Sequence, residues 1–539
     1  MLAASIALGL LASPLKYRWF YLPTNLFRPE AADQAVELIH RAAKVGYNGV
    51  LYSDSKLESL STFPDFYQKN VNRLLDAART EKMDVIPCVL SVGYADGILA
   101  QNPSLVESLP CRHVALTVHE GLLEPDPAEL YPNGDFAVTN GNAVSGALYQ
   151  DGPGKTSFVD RTVTHSGEPS LRLENPGSGA ETSGNCRLVR KLALQPFHQY
   201  RLSVWIKTDA FKSAGDVRAV ALDPKGNSLS FQDLGVQQTQ DWTQHFIVFN
   251  GLDNTDVNLY IGVWGGTKGK LWLSEISLRD AGVLNIDRRP ACPVKVVDAS
   301  GREVKLDLED PQSGNIPWPG EFDFKHPFPS VKTSLKEGET VFADYYAAAS
   351  TDSGKTSICL ADPATAQLER KEIARVDDLL HPNGFMLCQD EMRIQGWCGA
   401  CAGSGKTAGQ LIADDIRRST GFLKGKQAFV WSDMFDPFHN ATDSYYLCKG
   451  SIKGSWNGLQ PGTVVLNWNM GDKARQSLEF FAGKGFKQIL AGYYDGPVDA
   501  IKPWMKLARA TGSLEGVMYT TWQGNYKDLE AFAKAAWGS

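Results

Sequence analysis

The sequence predicts an α/β fold: a (β/α)8 TIM barrel interrupted after its third strand by an all-β jelly-roll sandwich. At both ends of the chain, short apolar runs alternate with segments of helical apolar spacing, a pattern typical of parallel α/β folds. Between residues 132 and 281 the helical spacing disappears, and short alternating strands lie among many Gly, Asn, Ser and Thr residues. This second pattern is typical of antiparallel sandwiches.

Eight apolar runs qualify as barrel strands, three before the interruption and five after it, which is the number that closes such a barrel. They cover residues 17–22, 49–53, 84–90, 385–389, 428–432, 464–468, 487–492 and 516–521. Helical spacing separates many of them. In the first such segment Ala35, Leu38, Ile39 and Ala42 recur at intervals of three and four residues, which predicts one buried helix face.

These patterns divide the chain into five parts. Residues 14–115 and 356–539 form the two barrel segments, 130–282 the inserted sandwich and 283–355 a β-rich connector. Residues 1–13 are an apolar leader that ends in small residues, like a secretory signal without its basic start. The leader is too short to cross a bilayer. We therefore expect a secreted or periplasmic protein without a membrane span; an apolar first helix or a truncated start are the alternatives.

Composition limits the classes of partner, substrate and cofactor that we expect. The net charge of −7 provides no basic footprint, so a nucleic-acid partner is not expected. Thirteen Trp and eighteen Tyr residues suit an oligo- or polysaccharide or glycoconjugate substrate, because sugar rings stack on aromatic faces, although aromatic residues also fill cores. The nine His residues include no pair at metal-ligand spacing, so no cofactor is expected for catalysis.

The nine cysteines are scattered, and Cys398 and Cys401 form the one close pair. In an exported protein this pair would form a local disulfide; two free thiols are the alternative. The Cys-x-x-Cys spacing also occurs in thioredoxins. That redox chemistry needs the first Cys at a helix start in a thioredoxin fold, and the strand-helix count predicts a barrel instead.

Candidate catalytic groups stand at strand ends. Asp390-Glu391 follows the predicted fourth strand, and later strands end at Trp431, Trp468, Tyr493-Tyr494-Asp495 and Trp522. Active sites of such barrels collect at the C-terminal ends of the strands, so these side chains should meet. Neighbouring residues on a strand point to opposite sides, and a splayed strand end would let both carboxylates reach one ligand. The alternative is a charged strand end that pairs with Arg393.

The barrel segments, about residues 17–110 and 360–537, resemble glycoside hydrolase family 20, the β-N-acetylhexosaminidases. Five family features occur in order at consecutive strand ends. They are the Asp-Glu pair (Asp390-Glu391), the Trp after strand five (Trp431), the Trp at strand six (Trp468), the Tyr-x-Asp of strand seven (Tyr493-Tyr494-Asp495) and the Trp of strand eight (Trp522). The approach to the pair, Met386-Leu-Cys-Gln389, departs from the His-x-Gly that the family often shows.

The resemblance implies retaining, substrate-assisted cleavage of a β-linked N-acetylhexosaminide, in which the substrate's 2-acetamido oxygen attacks the anomeric carbon. Glu391 would be the general acid and then the base, Asp390 would orient the acetamido group, and Tyr493 would donate a hydrogen bond to its oxygen. The resemblance implies that Trp431, Trp468 and Trp522 wall the sugar pocket, that Asp495 binds a sugar hydroxyl and that Arg28 is the counterpart of the family's strand-one Arg. Asp54 and Tyr494, which also stand at strand ends, are further candidate substrate-binding residues.

Two other functions remain open. The first keeps Glu391 as acid and uses Asp495 or Asp54 as a protein nucleophile on a sugar without an acetamido group. Carboxyl groups about 5 Å apart would indicate such a nucleophile, and a separation of about 6.5–9.5 Å would indicate inversion. The second is a glycan-binding protein whose barrel is catalytically silent.

The inserted segment resembles jelly-roll carbohydrate-binding modules through Pro132-Asn-Gly-Asp-Phe136 and Leu271-Trp-Leu-Ser-Glu-Ile-Ser-Leu278, among other runs. The resemblance implies a structural calcium, with Asp135, Glu174 and Glu275 as oxygen ligands. Trp264 is the predicted stacking platform for a sugar. Trp205 and Trp272 alternate with polar neighbours and are predicted core residues.

Overall fold

The computed structural model describes residues 15–177, 184–212, 216–306, 308, 331–351 and 355–538. Eight parallel strands close into a barrel in chain order, and Tyr17 of the first strand lies opposite Gly516 of the last. The strands are Tyr17–Pro23, Gly49–Ser53, Asp84–Val89, Gly384–Leu387, Gln427–Trp431, Val464–Asn467, Lys487–Tyr493 and Leu514–Thr520. The predicted closed barrel is confirmed.

Helices alternate with most of the barrel strands along the chain, and their buried residues share one apolar cluster with strand residues. The longer ones are Pro29–Ala43, Asp65–Thr80, Pro363–Leu380, Ala408–Phe422, Ala474–Gly483, Ile501–Ala510 and Leu529–Trp537, and the short ones are Lys56–Ser59, Asp96–Leu99 and Gly399–Gly403. The first helix buries Ala35, Leu38, Ile39 and Ala42, the residues that the apolar spacing had selected. Between strands five and six, a stretch described throughout, the chain makes 3-10 turns at Asp433–Phe435 and Ser455–Gly458 rather than an α-helix.

Two five-stranded antiparallel sheets occupy the interruption after strand three. One contains Ser157–His165, Glu168–Glu174, Gln199–Asp209, Gln240–Asn250 and Lys270–Asp280; the other contains Tyr149–Gln150, Gly184–Ala193, Val217–Leu222, Ser228–Asp233 and Asp256–Gly266. Their inner faces share one apolar core, in which Leu171 and Ile206 of the first sheet join Leu188 and Ile261 of the second. The β-domain predicted between the barrel segments is therefore present.

A third five-stranded sheet lies between the barrel and the sandwich in the chain. It contains Ser108–His119, Leu122–Pro125, Lys295–Asp298, Val331–Lys332 and Thr340–Ala348. The sequence prediction assigned its first strand to the barrel segment ending at residue 115 and its last to the connector. The structure pairs these two strands with each other, because both alternate apolar residues that share a core, such as Val114 and Val341.

Some predicted features lie outside the described residues, namely the leader at 1–13 and most of residues 307–330 of the connector. Among the helices that the structure does describe, none combines the length and the apolar character needed to cross a membrane.

Candidate active site

A cavity of about 750 Å³ opens at the C-terminal ends of the barrel strands. Several predicted site residues line it, namely Asp390, Glu391, Trp431, Trp468, Tyr494 and Trp522. They come from positions far apart in the chain and meet because parallel barrel strands end at one face. The structure thus brings the carboxylate pair and the aromatic residues of four later strand ends into one site.

Aromatic rings form the walls of this cavity. The rings of Trp468 and Tyr494 are nearly parallel, with centroids 6.0 Å apart and planes inclined by 11°. Trp522 stands at the rim, 50% exposed, 5.6 Å from Tyr494 and 5.9 Å from the buried ring of Trp431. Tyr21 of the first strand adds a further edge, 5.3 Å from Trp522. Such walls suit an apolar sugar face.

Asp390 places a carboxyl group inside the aromatic cavity. Its Oδ1 is buried and makes no hydrogen bond within the described chain. Burial raises the pKa of Asp390 well above its ordinary value, and the negative charges of Asp433 and Glu391 raise it further. Close packing fixes the backbone here: a Cβ built on Gly93 would lie 1.9 Å from the Asp390 carbonyl oxygen, so only glycine fits.

Glu391 is held by three neighbours. Arg393 forms an ion pair with its Oε2 at 3.0 Å, Tyr94 donates a hydrogen bond to the same oxygen, and its backbone N–H donates to Asp433 Oδ2 at 3.0 Å. The backbone of Glu391 has φ +43°, in the left-handed region that non-glycine residues rarely adopt. This conformation splays the two carboxylates so that both line the cavity. The ion pair with Arg393, which the alternative of a structural charged strand end predicted, is therefore also present.

The end of strand seven separates two neighbouring tyrosines. Tyr493, Tyr494 and Asp495 all have positive φ, at 80°, 51° and 56°. Tyr493 turns away from the cavity: it stacks on Tyr519 at 4.2 Å and donates a 2.8 Å hydrogen bond to Asp528 Oδ2. The phenol that lines the cavity belongs to Tyr494.

The Tyr494 hydroxyl is buried. It lies beside the Trp522 indole and makes no hydrogen bond of good geometry. The cavity is therefore lined by Tyr494 and not by the predicted Tyr493, one residue earlier in the chain.

Three other predicted substrate contacts lie away from the cavity lining. Asp495 accepts hydrogen bonds from the Thr521 hydroxyl at 2.5 Å and the Trp522 backbone N–H at 2.9 Å, so it positions the rim. Asp54 is buried and accepts backbone hydrogen bonds from Leu26 at 2.9 Å and Lys56 at 3.0 Å, besides two tyrosine hydroxyls. Arg28 is exposed at the start of the first helix.

Two residues that the sequence reasoning missed support the site. Asp433 is fully buried behind the cavity, where its Oδ1 accepts a hydrogen bond from Trp468 Nε1 at 3.2 Å and its Oδ2 one from the Glu391 backbone. Burial raises the pKa of Asp433. Tyr94 contacts Glu391 from the loop after strand three. Both follow the end of a barrel strand, and that position was the signal that could have identified them.

In the sandwich, a groove of about 860 Å³ includes Asp135, Trp205 and Glu275 in its lining. Trp205 stacks on His165 at 4.2 Å and is partly exposed, whereas the sequence predicted a core residue. Glu275 forms an ion pair with His165 at 3.0 Å. Glu174 pairs with Arg172 at 3.0 Å. The calcium site remains a prediction.

The two remaining sandwich tryptophans differ in exposure. Trp272 is buried, as predicted, and its Nε1 donates a 3.0 Å hydrogen bond to Asp160. The predicted platform, Trp264, is partly buried, and the Arg187 guanidinium lies over its ring at 5.9 Å from the centroid. Its role as a sugar platform stays a prediction.

No family model matches the sequence, and no curated protein matches it. Among solved structures, the chain is similar to a glycoside hydrolase family 20 β-N-acetylglucosaminidase over 97% of its own length and 70% of that chain, at 12% identity and a TM-score of 0.38. A β-N-acetylhexosaminidase matches 35% of this chain and 45% of its own, at 16% identity and a TM-score of 0.27. A family 16 carbohydrate-binding module matches 27% of this chain and 99% of its own, at 18% identity and a TM-score of 0.20. Similarity this distant does not place the chain in a family.

Proposed function

We propose that the protein is a glycoside hydrolase that cleaves a β-linked N-acetylhexosaminide by substrate-assisted, retaining catalysis. One observation carries the proposal: two buried polar atoms without a good hydrogen bond, Asp390 Oδ1 and the Tyr494 hydroxyl, belong to residues that line the same aromatic cavity. A ligand that offers one donor and one acceptor in the cavity would pair both atoms. A 2-acetamido group offers an N–H to the carboxylate and a carbonyl oxygen to the phenol.

In the proposed mechanism the substrate's acetamido oxygen attacks the anomeric carbon, so no protein nucleophile is needed. The positive charge that develops on the acetamido group favours the ionised form of the Asp390 carboxyl group, which accepts a hydrogen bond from the acetamido N–H. Tyr494 donates to the acetamido oxygen and holds it in line. Both contacts act on charge and geometry that appear in the transition state, where such interactions accelerate the reaction.

Glu391 supplies the proton to the leaving oxygen and then activates water as a base. Once the proton has left, the carboxylate is stabilised by the Arg393 guanidinium and the Tyr94 hydroxyl, which already contact it in the free protein. The same two contacts keep its position at the cavity fixed. Proximity of this kind is a large part of enzymatic rate enhancement.

The aromatic walls would bind the sugar ring. Trp431, Trp468 and Trp522 present apolar faces on several sides of the cavity, and they would exclude water from the reacting centre. Asp495 would act through Trp522, whose backbone it holds. Export of the protein, and a glycan contact through the sandwich groove, complete the proposal as further hypotheses.

The alternative mechanism, in which a protein carboxylate is the nucleophile, has less support. Asp54 and Asp495, its two candidates, are engaged by backbone and hydroxyl donors and do not line the cavity. A silent, glycan-binding barrel would use the same aromatic walls, and only turnover separates it from an enzyme.

The test is hydrolysis of chromogenic β-GlcNAc and β-GalNAc glycosides, with the β-glucoside as reference. We expect release from an N-acetyl sugar only, and a loss of roughly 100- to 10,000-fold in kcat for Glu391→Gln, the effect of removing a general acid. Glu515→Gln is the matched control, because Glu515 lies at the opposite end of strand eight in an ion pair with Lys16 at 3.8 Å. It should match the wild type.

Hydrolysis of the glucoside at a comparable rate would refute the acetamido mechanism. Glycan binding without turnover of any of these substrates or of longer N-acetylhexosamine oligosaccharides would favour the silent barrel.

A further inference from the structure

Away from the cavity, four side chains with metal-binding atoms converge at one buried point. They are Glu107, Cys359, Cys398 and Cys401, and one ligand atom from each lies within 4.8 Å of all the others. All four residues have no exposed surface. We propose that they bind a structural metal ion, and that the ion is Zn²⁺. This proposal is independent of the proposed glycosidase activity.

The distances fit a tetrahedral centre. The Cys359 sulfur lies 3.4 Å from that of Cys398 and 3.5 Å from that of Cys401, and Glu107 Oε2 lies 3.1 Å from the Cys401 sulfur. Ligands bound at the usual zinc–sulfur length of about 2.3 Å and zinc–oxygen length of about 2.0–2.2 Å stand roughly 3.5–3.8 Å apart in a tetrahedron. A small expansion of the cluster would therefore admit the ion.

The local backbone prepares these ligands. Cys398 and Cys401 are three residues apart, the spacing at which two cysteines from one turn share a zinc ion. The Cys401 backbone N–H donates to the Cys398 sulfur at 3.4 Å, across the start of the short helix Gly399–Gly403.

Glu107 is oriented in the same way. Its Oε1 accepts backbone hydrogen bonds from Trp397 at 2.7 Å and Cys398 at 2.9 Å, which leaves Oε2 directed at the sulfur cluster. Partners of this kind hold metal ligands in position and tune them. Cys292 contacts Cys398 as well but is not one of the four converging residues.

A disulfide explains the arrangement less well. It would join two of the three sulfurs and leave the third sulfur and the buried Glu107 Oε2 without a shared partner. Two backbone N–H groups already stabilise Glu107 Oε1, and a divalent cation would compensate the negative charge at Oε2 as well. Three thiolates and one carboxylate around zinc use every group of the cluster. Soft sulfur ligands also select zinc over calcium or magnesium.

The positions of the four proposed ligands in the chain indicate what the ion would stabilise. Glu107 lies where the chain leaves the barrel, Cys359 where it returns, and Cys398 and Cys401 on the loop that follows Glu391. One ion would tie the two junctions of the insertion to the loop that carries the catalytic pair.

The test is the metal content of the full chain, purified without chelator. We expect about one zinc ion per chain by elemental analysis, and less than about a tenth of that in Cys359→Ser and Glu107→Gln, because removing one ligand from a tetrahedral site weakens it strongly. Cys186→Ser is the matched control: this cysteine is equally buried, in the sandwich core, and should leave the zinc content unchanged. Chelator should lower the melting temperature of the wild type and leave that of the zinc-free variants unchanged.

If the variants fail to fold, the wild type decides the question. Exchange of the bound ion for Co²⁺ should produce thiolate-to-cobalt charge-transfer absorption and the d–d bands of tetrahedral coordination. Metal-free protein that takes up neither ion after reduction would overturn the proposal. So would a Cys398–Cys401 or Cys359–Cys398 disulfide found by mass analysis of the alkylated native protein, or full zinc content in a folded Cys359→Ser variant.

Discussion

Removal of one hydroxyl from each of the adjacent tyrosines Tyr493 and Tyr494 should have opposite effects on stability and activity. In the free protein Tyr493 donates a 2.8 Å hydrogen bond to the Asp528 carboxylate, whereas the Tyr494 hydroxyl is buried without a good partner. A hydrogen bond to a charged group contributes about 1.5–3 kcal/mol. Tyr493→Phe should therefore lower the free energy of unfolding by about that amount. Tyr494→Phe should change it by less than about 0.5 kcal/mol or raise it, since an unpaired buried hydroxyl is itself destabilising.

The order reverses for catalysis. In the proposed mechanism Tyr494 donates to the acetamido oxygen as this oxygen attacks the anomeric carbon. Loss of the contact should remove about 1.5–3 kcal/mol of transition-state stabilisation, which lowers kcat/KM by roughly 10- to 150-fold. Tyr493→Phe should keep kcat/KM within about threefold, because its ring still stacks on Tyr519 at 4.2 Å.

Urea denaturation and steady-state kinetics on the N-acetyl glycosides measure both quantities on the same preparations. Full activity of Tyr494→Phe would refute the assigned contact. A loss of stability in Tyr494→Phe equal to that in Tyr493→Phe would show that the Tyr494 hydroxyl has a strong partner in the free protein.

Two further substitutions test the surroundings of the carboxylate pair. Because burial and nearby charge raise the pKa of Asp390, the folded state should lose stability as the pH rises from the ordinary carboxyl range, near 4, towards the raised value. Asp390→Asn should remove this loss, so the melting temperature of the variant should exceed that of the wild type at pH 7 and approach it near pH 4. Equal melting temperatures of variant and wild type at both pH values would contradict the raised pKa. Gly93→Ala should cost about 1–3 kcal/mol of stability and most of the activity, because the added Cβ would lie 1.9 Å from the Asp390 carbonyl oxygen. Gly421→Ala is the control: Gly421 lies in the helix Ala408–Phe422 with open space around the added Cβ. In the same thermal and kinetic assays it should be neutral or stabilising.

The barrel could be predicted from the sequence because its strands are nearly continuous apolar runs, and its helices repeat apolar residues on one face. Parallel strands buried on both sides leave this signal without any reference to their neighbours. The third sheet could not be predicted so directly. Its strands Ser108–His119 and Thr340–Ala348 are separated by the whole sandwich, and nothing local in either strand identifies its partner.

For the site, the sequence located the strand ends but not the direction of each side chain. The sequence selected Tyr493, but its neighbour Tyr494 lines the cavity. The reason is a backbone with three successive positive φ values, which no residue-type preference predicts for Tyr-Tyr-Asp. Residues held in rare conformations are frequent at active sites, where the surrounding structure enforces them. Side-chain direction at such a turn depends on tertiary packing.

The loop after strand four connects the cavity with the sulfur cluster. It begins at Asp390 and Glu391, contributes Arg393 to the ion pair, pairs Ile394–Gln395 with Leu447–Cys448 and reaches the sulfur cluster at Cys398. A loop fixed only at its barrel end could shift by the fraction of an ångström that costs catalytic efficiency. Here the second end is fixed by Glu107, which accepts backbone hydrogen bonds from Trp397 and Cys398.

The same Glu107 stands at the point where the chain leaves the barrel. Its backbone N–H donates to Ser357 on the returning chain, and the Cys359 N–H donates to Leu105, both at 2.7 Å. The junctions of the insertion and the loop after strand four therefore form one buried unit. The departing chain, the returning chain and the loop after strand four are thus joined by hydrogen bonds at Glu107. Loss of the proposed zinc ion should accordingly impair the positioning of Glu391, because the loop that follows this residue reaches the sulfur cluster at Cys398.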